Sequence, residues 1–130
     1  AKAAGAKRAI LLAVSAPFHC ALMQPAADAM AEALGNVKMK APVVPVIANV
    51  LASPLVDPLA IKNALVAQVT GTVRWRECVS TMTQNGVKAF VEVGSGKVLT
   101  GLAKKNAPEA VAINAGTPDE IAALATYLKG

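Results

Sequence analysis

Residues 89–105 read AFVEVGSGKVLTGLAKK, and this stretch decides the class of fold. Ala89 to Val93 is short and apolar, which predicts a strand. Gly94-Ser95-Gly96-Lys97 predicts a tight turn, and Val98 to Lys105 a short helix. Val111 to Ala115 (VAINA) predicts the next strand. Strands that alternate with helices mean an α/β fold with mainly parallel pairing.

The same alternation extends outward. Toward the C-terminus, Thr117-Pro118-Asp119-Glu120 is a capping box with Pro at the first helical position, and the helix it opens is predicted to turn Ile121, Leu124 and Leu128 inward. Toward the N-terminus, Val73 to Asn85 predicts a helix with Trp75, Cys78, Val79 and Met82 on one face, stopped by Asn85-Gly86. Asp57-Pro58 caps another helix carrying Ile61, Leu65, Val66 and Val69, which stops at Gly71. Val43 to Val50 predicts a strand whose first part is demoted by Pro45, followed by a Ser/Pro loop. Leu22, Met23, Ala26, Ala27, Met30 and Leu34 recur at helical spacing. That helix starts just before Pro25 and ends at Gly35-Asn36. Ala9 to Ser15 (AILLAVS) predicts a buried strand.

Composition excludes several classes. The 130 residues are 55% hydrophobic, 3% aromatic and 16% charged, which argues against disorder. No apolar run approaches the roughly 20 residues of a membrane span; the longest candidate, Ala9 to Phe18, is broken by Ser15 and Pro17. Two cysteines, Cys20 and Cys78, make neither a disulfide framework nor a metal site, so a cytoplasmic setting and no metal are expected. The net charge of +5 favours an acidic partner. Nucleic acid is disfavoured, because the basic residues are dispersed and the few aromatics do not interleave with them. Ala1 follows no Met and opens on what reads as the end of a helix, so the chain is expected to be a piece of a longer protein.

Few residues invite chemistry. His19, the one histidine, follows an apolar run and a Pro-containing turn and precedes a helix, a loop position that suits a proton-transfer group. The plain alternative is a histidine satisfied by local packing. Cys20 beside it and Cys78 on an apolar helix face read as small hydrophobes. Gly94 to Val98 fails the phosphate-loop spacing, and Leu99 stands where a dinucleotide fingerprint needs its third Gly. The amides at that helix start remain available to an anion. Glu92, between Val91 and Val93, points away from both neighbours and reads as solvated or paired. None of Ser15, Ser53, Ser80 or Ser95 lies in a Gly-x-Ser-x-Gly elbow, so a candidate base stands without a nucleophile.

These residues resemble the C-terminal half of bacterial malonyl-CoA:acyl carrier protein transacylases. The resemblance rests on Val14 to Met23 (VSAPFHCALM), Pro25-Ala26-Ala27, Pro45-Val46, Asn49-Val50, Leu65 to Gln68, Val73-Arg74-Trp75 and Glu92 to Leu102 (EVGSGKVLTGL). It implies transfer of a malonyl group from coenzyme A to the phosphopantetheine thiol of acyl carrier protein, through a malonyl-serine ester. The serine of that family lies in a Gly-His-Ser-Leu-Gly elbow in an N-terminal half that this chain lacks. By resemblance the fold is a hydrolase-like α/β core with a ferredoxin-like insert. Residues 1–16 end the insert, and residues 17–130 form the C-terminal part of the core. No cofactor is implied beyond the two substrates.

Residue by residue, the resemblance makes His19 the general acid/base. It makes Gln68 the residue whose backbone carbonyl orients it, so that the Gln68 side chain is expected to matter little. Phe18 is the bulky neighbour that favours malonyl over methylmalonyl groups, its plain alternative being loop packing. The glycines from Gly94 to Gly101 are expected to allow close approach of a helix to a strand end. Lys97, Arg74, Arg76, Lys104 and Lys105 are candidates for a basic rim facing the acidic carrier protein. Two rival readings remain: a non-catalytic basic α/β module that binds an acidic protein, and an acyl-carrying role for Cys20. A fragment of a parallel sheet would also expose an open edge and an apolar face, which predicts self-association or attachment to the rest of the protein.

Overall fold

The computed structural model describes residues 2–11, 13–14 and 16–129. Helix α1 (Gln24–Gly35) follows a single 3₁₀ turn at Ala21–Met23, and Pro25 sits in its first turn, where no amide is needed. Strands β1 (Val46–Ala48) and β2 (Ser53–Leu55) pair antiparallel. Helices α2 (Pro58–Thr70) and α3 (Trp75–Gln84) come next. Then β3 (Ala89–Val93), α4 (Val98–Asn106), β4 (Val111–Ala115) and α5 (Pro118–Tyr127) complete the order. The α/β class read from residues 89–115 is the observed one. β3 and β4 pair in parallel, Ala89 opposite Val111 and Val93 opposite Ala115, with α4 as the crossover.

Local chemistry explains most of the boundaries. The Asp57 carboxylate accepts the Ala60 amide at 2.7 Å and caps α2. Thr117 and Glu120 make the reciprocal capping box of α5. Gly86, at φ +86°, supplies the left-handed residue after α3.

Three expectations are corrected. Ala9–Ser15 is not a strand over its described residues; Leu12 and Ser15 lie outside them. Leu11 is 97% exposed and Val14 78%, because no described strand pairs with this run and an apolar strand needs a neighbour to bury it. Strand β1 is shorter than Val43–Val50, and the supposed Ser/Pro loop contains β2. Pro54 concealed it, since an edge strand tolerates the missing amide. Helix α5 buries none of its residues: Ile121 is exposed, and Leu128, which follows its last residue, is 69% exposed.

The core is built from small side chains. Val79 is fully buried with Cys78 beside it on α3, and Ala103 and Ala115 are buried on α4 and β4. Burying Val79 contributes roughly 1.5–3 kcal/mol. Ala27 of α1 and Ile61 and Ala64 of α2 form a second buried group, and Lys62 Nζ ties the two helices by donating to the Val37 carbonyl at 2.5 Å. Helix α3 holds the β1–β2 turn. The Arg74 amide donates to the Asn49 carbonyl at 2.9 Å, and Thr81 Oγ1 donates to the Ala52 carbonyl at 2.8 Å. This fixes the end of β1 and its turn against α3, just beyond the end of α2, where the candidate site lies.

Candidate active site

The loop from Ala16 to Cys20 folds on itself. The Phe18 amide donates to the Ala16 carbonyl at 2.9 Å, a three-residue turn, and Cys20 Sγ donates to the Pro17 carbonyl at 3.1 Å. Between these two bonds His19 is held at φ +59°, in the left-handed region that a side chain with a Cβ rarely adopts. Such strain persists only where surrounding contacts enforce it.

The imidazole reaches α2. Its Nδ1 lies 2.9 Å from the Gln68 carbonyl oxygen. A carbonyl only accepts, so Nδ1 carries the hydrogen, and in the neutral ring the lone pair is on Nε2. The Gln68 carbonyl is available because it lies in the last turn of α2, where helix carbonyls lack an intrahelical partner. The helix ends there because Gly71 turns to extended backbone at φ −93° and ψ 155°. A Cβ on Gly71 would stand 2.8 Å from both the Ala67 oxygen and Val50 Cγ2, so the turn is passable only for glycine.

The Gln68 side chain, expected to be idle, is in contact with the same ring. Its Nε2 donates to the Gly71 carbonyl at 3.0 Å and lies 3.3 Å from His19 Nδ1. Its Oε1 and the Trp75 indole nitrogen are buried without a partner.

The other candidates fall elsewhere. Phe18 is 62% exposed, next to His19 in the chain. The Cys20 thiol is taken up by the Pro17 carbonyl rather than by the imidazole. Cys78 is buried, and its thiol is pushed up, first by burial and then by the Glu77 charge, so it stays protonated core. The hydrogen bonds of the His19 ring run to Gln68 and not to Ser53, Ser80 or Ser95, and Ser15 lies outside the described residues.

The anion-accepting helix start after Gly94 already has its anion. Glu92 of β3 accepts from the amides of Leu99 and Thr100 at 3.1 and 2.7 Å and from Thr100 Oγ1 at 2.6 Å. The Thr100 hydroxyl, then its amide, hold the Glu92 carboxyl below the ordinary carboxylate range. The expected close approach at these glycines is not found. A Cβ at Gly94, Gly96 or Gly101 would meet nothing within 4 Å. Gly94 and Gly96 are required instead for their φ of +134° and +93°.

The basic side chains are divided between the start of α3 and the two ends of α4. Arg74 donates to the Leu51 carbonyl, and Arg76 pairs with Glu77 at 3.9 Å at the start of α3. Lys97 begins α4, whereas Lys104 and Lys105 end it. Among the described residues, no group of three or more His, Cys, Asp or Glu side chains is placed to hold a metal ion, and no helix is long and apolar enough to cross a membrane.

Comparison with known proteins gives the family of these features. No family model matches the chain. The malonyl CoA-acyl carrier protein transacylase of Salmonella typhimurium is 51% identical over 104 residues, covering 80% of this chain and 34% of the relative. That of Escherichia coli K12 is 47% identical over 122 residues, covering 94% of this chain and 40% of the relative. The crystal structure of acyl-carrier-protein-S-malonyltransferase from Bartonella henselae superposes with a TM-score of 0.88 at 53% identity, over 99% of this chain and 41% of that one. A malonyl-transacylase in complex with its type II PKS acyl-carrier protein superposes at 0.81 with 45% identity, over 96% and 41%. The chain thus spans well under half the length of the relatives it matches, and what it matches is the C-terminal part of the malonyl CoA-acyl carrier protein transacylases.

Proposed function

We propose that this chain supplies the general acid/base of a malonyl transfer from coenzyme A to acyl carrier protein, and that His19 is that group. The observation that carries the reading is the 2.9 Å contact from His19 Nδ1 to the Gln68 carbonyl, which leaves Nε2 free to work. The nucleophile is a serine outside this chain. Nε2 takes the serine hydroxyl proton as the oxygen attacks the malonyl thioester carbon. The carbon–sulfur bond then breaks, and the imidazolium returns its proton to the departing coenzyme A thiolate. A second round with the carrier thiol releases serine and forms the malonyl-carrier thioester. The orienting role that a carboxylate plays in a Ser-His-Asp triad is taken here by a helix-end carbonyl. Its partial negative charge complements the imidazolium formed midway.

Phe18, exposed beside His19, is proposed to face the acyl group and disfavour an α-methyl substituent. One methyl discriminates by only ~1–3 kcal/mol in such a pocket, so the preference is partial. Residues 1–16 are assigned to the end of a ferredoxin-like subdomain and residues 17–130 to the C-terminal part of the core, acting in the cytoplasm. The acidic carrier is proposed to meet the basic residues of α3 and α4, and no cofactor is needed.

The test is labelling with malonyl-CoA. The chain alone is expected to form no malonyl ester, and the full-length protein to form one on serine and pass it to carrier protein. No transfer by the full-length protein, with carrier binding retained, would favour a non-catalytic basic module. Transfer lost on alkylation of Cys20 would favour the thiol.

A further inference from the structure

We propose that the Gln68 side chain is a positioning group. Its amide, donating to the Gly71 carbonyl, braces the last turn of α2 so that the Gln68 backbone carbonyl stays aimed at the Nδ1–H of His19. The inference rests on the reading of His19 as the proton-transfer group.

Three contacts meet at Gln68. Its carbonyl accepts from His19 Nδ1 at 2.9 Å, its Nε2 donates to Gly71 O at 3.0 Å, and that same Nε2 lies 3.3 Å from Nδ1. With its hydrogen given to the carbonyl, Nδ1 has no lone pair to offer. The 3.3 Å contact is therefore packing against the ring edge, and the amide hydrogen belongs to Gly71. The amide is also fixed in direction, because a half-turn would set Oε1 against the Gly71 oxygen.

This direction carries a cost. Oε1 is left buried with no donor, and native structures seldom leave a buried acceptor unmet. An apolar side chain of similar length would avoid that cost, but it would also release Gly71. Loop 16–20 and helix α2 are separate elements, and His19 is exposed on a left-handed backbone. The ring's pose therefore depends on the direction of one carbonyl at a helix end, where chains fray. A side chain that ties residue 68 to residue 71 removes that freedom, and by lying against the ring it also limits the ring's rotation.

The experiment uses the full-length protein, with Gln68→Met as a near-isosteric variant and Gln68→Leu as a second. Thermal unfolding reports whether each folds. With histidine ¹⁵N-labelled and the His19 resonances assigned by their loss in His19→Asn, the spectrum reads which ring nitrogen is protonated. The expected result is a mixed tautomer population where the parent shows one. With it, kcat for malonyl transfer falls about three- to tenfold, and KM for malonyl-CoA is unchanged. An unchanged tautomer population overturns the proposal, whether or not kcat falls, because the side chain then does not act through the ring. An unchanged kcat with a mixed population overturns it as well. Full transfer by His19→Ala would defeat the general-base reading instead, and the tautomer comparison would still test the brace.

Discussion

The Nδ1 atom of His19 lies 2.9 Å from the carbonyl oxygen of Gln68, a residue 49 positions later in the chain. One end of this contact sits on a strained loop and the other on the last turn of a helix. Each owes its availability to a local feature: the left-handed φ at His19 and the stop at Gly71.

Losing the base is expected to cost far more than losing the side chain that braces it. In the full-length protein, His19→Ala should lower kcat by about 10²–10⁴-fold, the usual contribution of a general base. Gln68→Ala keeps the backbone carbonyl and should cost about tenfold or less. Steady-state transfer to carrier protein checks the order, and equal losses would contradict it.

Relief of strain should separate stability from activity at His19. A left-handed conformation costs a residue with a Cβ about 1 kcal/mol, and glycine escapes this. His19→Gly also removes one exposed hydrogen bond, a loss of similar size or smaller. Its melting temperature should therefore be no lower than the parent's while transfer is lost. A clear fall in melting temperature would show that the imidazole stabilises the fold more than the turn strains it.

Gly71→Ala should fail for reasons of space. The new methyl would meet the Ala67 oxygen and Val50 Cγ2 at 2.8 Å, and the backbone oxygen has little room to move. Overpacking of this kind costs about 1–3 kcal/mol. Thermal or urea unfolding measures it directly. Activity should fall with it, since the shift moves the end of α2 that carries the Gln68 carbonyl.

Acid should weaken the β3–α4 junction through Glu92. Its carboxyl is held below the ordinary 4.5, so the contribution to stability is full above 4.5 and is lost as pH falls through the lower folded value. Glu120, held low chiefly by the Gly116 amide, acts in the same direction. Glu92→Gln should be less stable than the parent at neutral pH. The gap should narrow as pH drops below 4.5 and close only below the lower folded value, where the parent's native carboxylate is protonated too. Denaturant unfolding at several pH values reads the gap, and a constant one would contradict the assignment.

Carrier-dependent transfer should slow as salt rises, because exposed charges are screened beyond about 8–10 Å at ordinary ionic strength. Malonyl ester formation from coenzyme A serves as the control. Indifference of the carrier step to salt would remove the basic residues of α3 and α4 from the encounter.

Much of this protein was legible in its sequence. Asp57-Pro58, Thr117 to Glu120 and Asn85-Gly86 are chemical signals that act within a few residues, and each marks a helix end as read. Strands β3 and β4 were found at their observed limits, since the apolar residues of both alternate with turn signals. His19 stood out as the one side chain suited to proton transfer, and resemblance pointed from it to Gln68. Where the reading failed, the missing information was a partner. AILLAVS is apolar enough for a strand, but a strand exists only by pairing, and no described strand lies beside it. Pro54 reads as a loop until Ile47 is seen opposite it. The anion site after Gly94 looked open until the fold brought in the Glu92 carboxylate. The sequence alone therefore determined the helix ends, the α/β class and the candidate for proton transfer, because propensity, capping and pattern are local. Tertiary structure alone decided the His19 tautomer and the contact of the Gln68 amide with the ring, because both depend on where the end of one helix meets a loop folded far from it in sequence.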